Sequence, residues 1–554
     1  MRIELKKELC ENFVSKEIEA GITVEDIYKD LKEELPYTVV AAKVNNSFKD
    51  LTFRIEEPCR VELLDIRTQA ANLIYQHSLS LMYIKAVKDI IGDVKVEIEN
   101  SLNKGLFTQI RTAEVLSDQE VAKIEDRMHE LVEMDIPLER GSADVETGFE
   151  ILQEENLSEK IRLLSENENI KKVTFYSIDD YKDFFYSLMV PSTGYLKYFE
   201  LKKYRRGILL RFPHPSEPDR IPPYVEEEKL YQAFGEQTNW DRLLGVNYVA
   251  DLNEKIESGE YKEMIQLSEA LHEKKIAEIA DIIKIEGKRI ILIAGPSSSG
   301  KTTFARRLCI QLKVNGLNPL YMGTDDYFVE REDTPLDENG EKNYEDLSAL
   351  DIELFNNNMN GLLAGEKVDL PEFDFMTGHK VFGKRITSIS KNQPIVIEGI
   401  HALNEKLTEF IPKEEKIKIY ISPLTQLNID SSNRIPTTDE RMLRRMVRDN
   451  LYRGHNAQST IADWPKVRKG EDKNIFPYSN EADIFFNSYH VYEIAVLKKY
   501  AEPLLEQIRP EESEYAEAQR MLQFLRFFKK IDDDSIIVNN SIIREFIGGS
   551  IFVD

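Results

Sequence analysis

The run Gly295, Pro296, Ser297, Ser298, Ser299, Gly300, Lys301, Thr302, Thr303 constrains the fold more than any other stretch of this chain. It follows the β-rich apolar segment RIILIA (289–294) and precedes TTFARRLCIQLK, which has helical composition. The spacing Gly295-x-x-x-x-Gly300-Lys301-Thr302 between a strand and a helix is that of a phosphate-binding loop. Its glycines let the backbone turn tightly, so successive N–H groups and the helix N-terminus face an anion. Lys301 is then placed for the β- and γ-phosphates of a nucleoside triphosphate, and the Thr302 hydroxyl for Mg²⁺.

Downstream features narrow the chemistry. PLYMGTDDYF reads as a second strand ending at Asp325 and Asp326, and in doubly wound sheets ligands gather at the carboxyl ends of strands. A carboxylate there can accept the proton of an attacking hydroxyl or hold the metal. Asp326 is expected to cap the next element. PIVIEGIHAL ends a third apolar run at Glu398, placed to support Mg²⁺ directly or through water. In TTDERMLRRMVRDNLYRG, Arg441, Arg444, Arg445 and Arg448 share one helix face, beside Met442, Leu443, Met446 and Val447. Guanidiniums in one stripe repel unless an anion is present. The stripe is therefore expected to be a lid that closes over the triphosphate, the alternative being surface pairing with Asp439 and Asp449.

The chain around this unit has 554 residues, room for roughly three or four domains. Residues 1–66 read as short strands around GITVEDIYKDL, where Thr23 and Asp26 have capping-box spacing, an order that suggests a ubiquitin-like β-grasp. Residues 67–225 read as α+β, with IYQHSLSLMYIKAVKDII and DQEVAKIEDRMHELVEM as helices and KVTFYSI and GILLRF as strands. A proline-rich segment, 213–223, marks a boundary. Residues 226–287 read as a helical connector, 288–510 as the α/β phosphate-loop unit with a parallel sheet, and 511–554 as a helical tail packing on the body. Cys10, Cys59 and Cys309 are widely spaced, with no C-x-x-C and no nearby histidine pairs, which argues against a disulfide framework or zinc site and fits a reducing cytoplasm. No run is apolar enough to span a membrane, and the N-terminus lacks the pattern of a secretory signal. A net charge of −26 argues against a surface given over to nucleic acid. The basic cluster Lys202, Lys203, Arg205, Arg206, Arg211 is either a solvated face or a local anionic contact.

GPSSSGKTT, TDDYF, NYEDLSALD, PEFDFMTGHK, VIEGI, DERMLRRMVRDNLYRG and FPYSNEADI occur in that order between about 288 and 500. This stretch resembles the uridine kinase and phosphoribulokinase family. The resemblance implies transfer of the ATP γ-phosphoryl group to a hydroxyl, in uridine kinases the 5′-hydroxyl of a nucleoside, with Mg²⁺ as cofactor. It implies Asp325 as catalytic base, Thr302 and Glu398 on the metal side, Arg444 and Arg448 in the lid helix, and Glu345 or Asp346 on the ribose hydroxyls. The chain departs from the family at the acceptor pocket. Phe328 and Phe373 stand where uridine kinases carry tyrosines, keeping the stacking face without the hydroxyl. Gly378 aligns with the histidine that reads the base edge, and His379 follows it, either taking over that role or serving only as a loop residue.

The N-terminal half is similar to the front of threonyl-tRNA synthetase: 1–66 to its TGS domain, with VAAKVNNSFKDLTFRIEEPCRVELLDI as the nearest stretch, and 67–225 to its editing domain. His77 lacks the histidine partner that editing needs, since position 81 is Leu81, and no later Cys-x-x-x-His occurs. Binding, regulation or assembly is left for this half, with RNA as its candidate partner and a homo-oligomer as the expected assembly. The combination also resembles bacterial uridine kinase-related nucleoside kinases. Three functions compete: a nucleoside kinase, a kinase of another hydroxylated acceptor such as a sugar phosphate, and a nucleotide-regulated RNA- or ribosome-associated protein. Against the last, no N-K-x-D guanine motif occurs, and the one D-x-x-G, Asp337 to Gly340, lies in a polar loop.

Overall fold

A computed structural model describes residues 1–7, 12–166, 170–337 and 340–553. Cys10 and the middle of the Asp337–Gly340 motif lie outside the described residues; Cys59 and Cys309 are free thiols.

The first sheet is mixed and five-stranded, in the order Val14–Glu17, Arg2–Lys6, Arg60–Asp65, Val39–Val44, Ser47–Lys49, and only its two central strands Arg2–Lys6 and Arg60–Asp65 run parallel. Helix Val24–Leu31 crosses it, burying Val24, Ile27, Tyr28 and Leu31. Thr23 and Asp26 form the reciprocal capping box at its start, satisfying N–H groups a helix leaves orphaned.

The next segment wraps two antiparallel sheets around helix Gln69–Ile91, which is buried on nearly all sides because its sequence is apolar without a polar stripe. One sheet runs Glu200–Tyr204, Gly207–Arg211, Gly105–Ile110, Val96–Leu102; the other Tyr181–Phe184, Lys172–Ile178, Glu139–Asp144. His77 and Leu81 both lie in this buried helix. His77 Nδ1 sits 2.5 Å from Ser187 Oγ, and burial drives its pKa down to about 3, so it is a neutral core histidine.

Helices Glu228–Leu244, Val249–Ser258 and Tyr261–Glu286 lead to a five-stranded, all-parallel sheet. Its order is Leu320–Gly323, Ile395–Glu398, Ile290–Ala294, Lys416–Ser422, Ile484–Asn487. Ile290–Ala294 is wholly buried, the unbroken apolar run expected of a strand covered on both faces. Strands Val368–Asp374 and His379–Thr387 form a separate antiparallel hairpin. The tail returns to the body: helix Tyr515–Leu525 packs on the main core, and the short turn Arg544–Ile547 lies under the helix that follows the glycine-rich loop. Among the described residues, no helix is long and apolar enough to cross a membrane.

Candidate active site

The site forms where strands Ile290–Ala294, Ile395–Glu398 and Leu320–Gly323 end at the same edge of the parallel sheet. Gly295 leaves the central strand against its neighbour, so closely that a Cβ there would lie 1.9 Å from the Ile421 carbonyl oxygen. Gly300 adopts φ +84°, which only glycine takes at little cost, and starts helix Lys301–Val314. Between them the Ser298 and Ser299 hydroxyls are buried without hydrogen-bond partners. Orphaned hydroxyls at the positive end of a helix are what an absent anion would satisfy. The loop therefore fits a triphosphate.

The loop walls a cleft of about 480 Å³. Lys301 is folded back, donating to the Gly295 and Pro296 carbonyls at 3.0 and 3.2 Å, and its burial lowers its proton affinity. Thr302 Oγ1 donates to both oxygens of Glu398, at 3.0 and 3.2 Å, and the Tyr321 hydroxyl donates to Glu398 at 2.5 Å. Burial raises the Glu398 pKa despite these donors. Asp325 lines the same cleft; burial raises its pKa as well, the Lys301 charge opposes the shift and the Asp326 charge adds to it. Among the described residues, no three His, Cys, Asp or Glu converge as a self-sufficient metal cage. Thr302 beside Glu398 fits Mg²⁺, which protein sites commonly bind through one or two carboxylates together with substrate phosphates.

Several expected residues fall elsewhere. Asp326 pairs with Arg385 at 2.6 Å. Glu345 lines the cleft against Gly470, whereas Asp346 caps the turn Leu347–Ala349, pairs with Lys473 at 3.0 Å and is drawn down to about 2, chiefly by the Ser348 N–H. Phe328 and Phe373 pack edge-on with ring centroids 5.6 Å apart, and Phe375 joins them at 6.2 and 5.2 Å. His379 opens the second hairpin strand, half exposed, with Nδ1 2.6 Å from Glu330 and outside the cleft lining.

The arginine helix, Thr437–Arg453, is not the exposed lid the stripe suggested. Arg441 and Arg444 are wholly buried. Arg444 grips Glu493, with Nη2 at 2.7 Å from Oε2, and reaches the Ser298 and Ser488 carbonyls. Arg441 pairs with Glu471 and donates to the Ser297 carbonyl at 3.0 Å. Buried carboxylates from other elements neutralise Arg441 and Arg444, Asp449 of the same helix pairs with Arg445 and Arg448, and Met442, Leu443, Met446 and Val447 sit in the core. The cations that do face the cleft are Lys301, Arg445, Arg448 and Arg453. Arg445 donates to Ser297 Oγ at 2.9 Å, and Arg448 pairs with the adjacent Asp449.

Two acids in the cleft carry no local sequence signal. Glu471, from helix Ala457–Asn474, accepts the Ser297 N–H at 2.8 Å. Glu545, from the tail, accepts the Thr303 hydroxyl at 2.7 Å. Only their contacts, made across long stretches of chain, mark them.

A parallel sheet, a loop that fits a triphosphate and carboxylates at neighbouring strand ends make this a P-loop region built to bind a nucleotide. Residues 290–495 match the model of the Phosphoribulokinase / Uridine kinase family, which supports phosphoryl transfer to a hydroxyl acceptor. The N-terminal half is similar to threonine–tRNA ligases. That of Caldanaerobacter subterraneus subsp. tengcongensis is 28% identical over 39% of this chain and 35% of its own length. That of Acetivibrio thermocellus is 26% identical over 34% of this chain and 29% of its own. The chain thus spans about a third of the length of these curated relatives. A solved structure described as a possible uridine kinase from Bacillus stearothermophilus is 21% identical over 36% of this chain and 88% of that one, with a TM-score of 0.24, too low to carry weight.

Proposed function

We propose that the chain is an ATP-dependent nucleoside kinase that phosphorylates a 5′-hydroxyl. The observation that carries this reading is the convergence of Asp325 with Lys301 and the Thr302–Glu398 pair in one cleft. ATP with Mg²⁺ supplies the phosphoryl group when bound. Thr302 and Glu398 are the residues that would hold the metal, and the loop N–H groups and Lys301 would hold the phosphates. Asp325 orients the acceptor hydroxyl and takes its proton. Arg445 and Arg448 face the cleft and stabilise the transferring charge, a task for which the family resemblance implies Arg444 and Arg448. Phe328 and Phe373 are buried in the core, so only the exposed Phe375 of this cluster is open for a base to stack on, outside the cleft lining, and Glu345 lines the cleft wall as the candidate for the ribose hydroxyls.

We further infer the division 1–66, 67–225, 226–287, 288–510 and 511–554, with the first unit a TGS-type β-grasp. The mixed sheet with a crossing helix supports that reading. The second unit is inferred to bind or regulate rather than edit, because His77 is buried on Ser187 and Leu81 stands where a partner histidine would be. A sugar phosphate is the competing acceptor, favoured by Arg453, half exposed at the cleft rim. A screen of ribonucleosides and sugar phosphates for acceptor-dependent ADP release is expected to single out a nucleoside. Release stimulated only by a sugar phosphate, or only by RNA, would overturn the nucleoside assignment.

A further inference from the structure

The tail brings a carboxylate to the start of the loop helix. Arg544 folds the tail by donating to the Asp534 and Ile537 carbonyls at 2.6 and 2.9 Å. Ile542 and Phe546 are fully buried beside the loop helix, and a Cβ on Gly300 would meet Ile542 Cγ2 at 2.5 Å. Phe546 also lies under the Arg444 guanidinium, whose carbon is 4.9 Å from the ring centroid. Between these anchors Glu545 is held rigidly. Its Oε2 accepts the Thr303 hydroxyl at 2.7 Å and faces the Thr303 N–H at 3.4 Å.

Thr303 lies in the first turn of helix Lys301–Val314, where the helix dipole and free N–H groups attract anions. Glu545 therefore places a fixed negative charge beside the phosphate cradle. Among the described residues it has no ion-pair partner, unlike Glu471, which Arg441 and Arg468 neutralise. Its field reaches Lys301, Glu398 and Arg453. With Glu471 neutralised, the acids lining the cleft, Asp325, Glu345, Glu398 and Glu545, are as many as its cations, Lys301, Arg445, Arg448 and Arg453. A metal-free triphosphate seated on the loop meets the like charge of Glu545 locally, and a divalent cation on the phosphates offsets that repulsion.

We propose that Glu545, delivered by the C-terminal tail, makes nucleotide binding depend on the divalent metal by discriminating against metal-free triphosphate. The inference rests on the loop being a triphosphate site and not on the identity of the acceptor.

The test is calorimetric titration of the full chain with ATP in excess Mg²⁺ and in excess chelator. Glu545→Gln keeps an oxygen for the Thr303 hydroxyl and removes only charge. It is expected to tighten metal-free ATP by at least about tenfold, the size of the repulsion between two unit charges about 12 Å apart at an effective dielectric of about 20. The Mg·ATP affinity should move far less. Thr303→Val removes that hydrogen bond but keeps the charge, so its ratio of the two affinities should stay near wild type; a purely structural Glu545, acting through the bond alone, would instead leave Glu545→Gln like wild type and disturb binding in Thr303→Val. An unchanged ratio in Glu545→Gln overturns the proposal and leaves the donor site standing. Failure of the wild type to bind ATP in either condition overturns both.

Discussion

Asp325 and Glu398 are both carboxylates that burial makes harder to ionise, and their neighbours differ. Glu398 is committed to the Thr302 and Tyr321 hydroxyls, which fix its oxygens beside the loop. Asp325 has Lys301 within electrostatic range and Asp326 working against it. Environments that divide two carboxylates in this way commonly divide holding from proton transfer. Asp325→Asn is expected to lower kcat by about 10²–10⁴-fold, the usual worth of a general base, while ATP still binds in calorimetry. The base works as the anion, so activity is full above its folded pKa and falls as pH drops through it. Because burial raises that pKa, the acid limb of kcat/KM should lie above the ordinary aspartate value of about 3.9. A limb at the ordinary value, or a fully active Asp325→Asn, removes Asp325 from the role.

The arginine helix sets two kinds of arginine side by side, and truncation separates them. Arg444→Ala would leave Glu493 and Glu440 buried beside each other with their cation gone. Breaking a buried pair in this way costs about 3–5 kcal/mol, so denaturant unfolding should shift strongly. Arg448→Ala removes a group at the cleft edge that, among the described residues, pairs only with its neighbour Asp449. It should cost at most about 1 kcal/mol of stability while weakening ATP binding in calorimetry. If Arg444→Ala unfolds like the wild type and loses only turnover, the lid reading returns. This helix also shows what the sequence could and could not convey. The loop from Gly295 to Thr303 is contiguous, and Asp325 and Glu398 end apolar runs, so local pattern reveals them. The four-arginine stripe is equally plain as periodicity, but its meaning depends on Glu471 and Glu493, which arrive from other elements. Glu545 meets Thr303 across 242 positions, a separation at which no local pattern operates.

At the scale of the whole chain, the segment leading into the arginine helix is held by the N-terminal half. Asn428 donates to the Ile98 and Glu99 carbonyls at 2.9 Å, and the Ile98 N–H donates to the Ser431 carbonyl at 2.8 Å. Gln69 bonds Thr438 and Asp439, and Arg520 of the tail grips Asp439 with two bonds of 2.7 Å. At the centre, Lys160 pairs with Asp183 of its own half and lies 3.5 Å from Asp430, with all three side chains fully buried. The helix that carries Arg445 and Arg448 to the cleft is thus rooted in an ionic knot shared by both halves. Lys160→Met keeps the apolar stem and leaves Asp183 and Asp430 buried without their cation, at a cost of about 3–5 kcal/mol. Of the two tryptophans, Trp240 lies in the connector helix Glu228–Leu244, and Trp464 lies in helix Ala457–Asn474, where it packs against Arg441. Trp464 fluorescence, read with Trp240→Phe in place, reports unfolding of the α/β unit, while the substitution is made in the other half. If the halves fold as one cooperative unit, the tryptophan transition in denaturant moves to lower concentration by the full amount. A tryptophan transition that stays in place while far-ultraviolet ellipticity of the N-terminal half is lost early would show two independent units and a cleft indifferent to its neighbour. The former outcome would mean that a ligand seated on the N-terminal half has a mechanical route to Arg445 and Arg448.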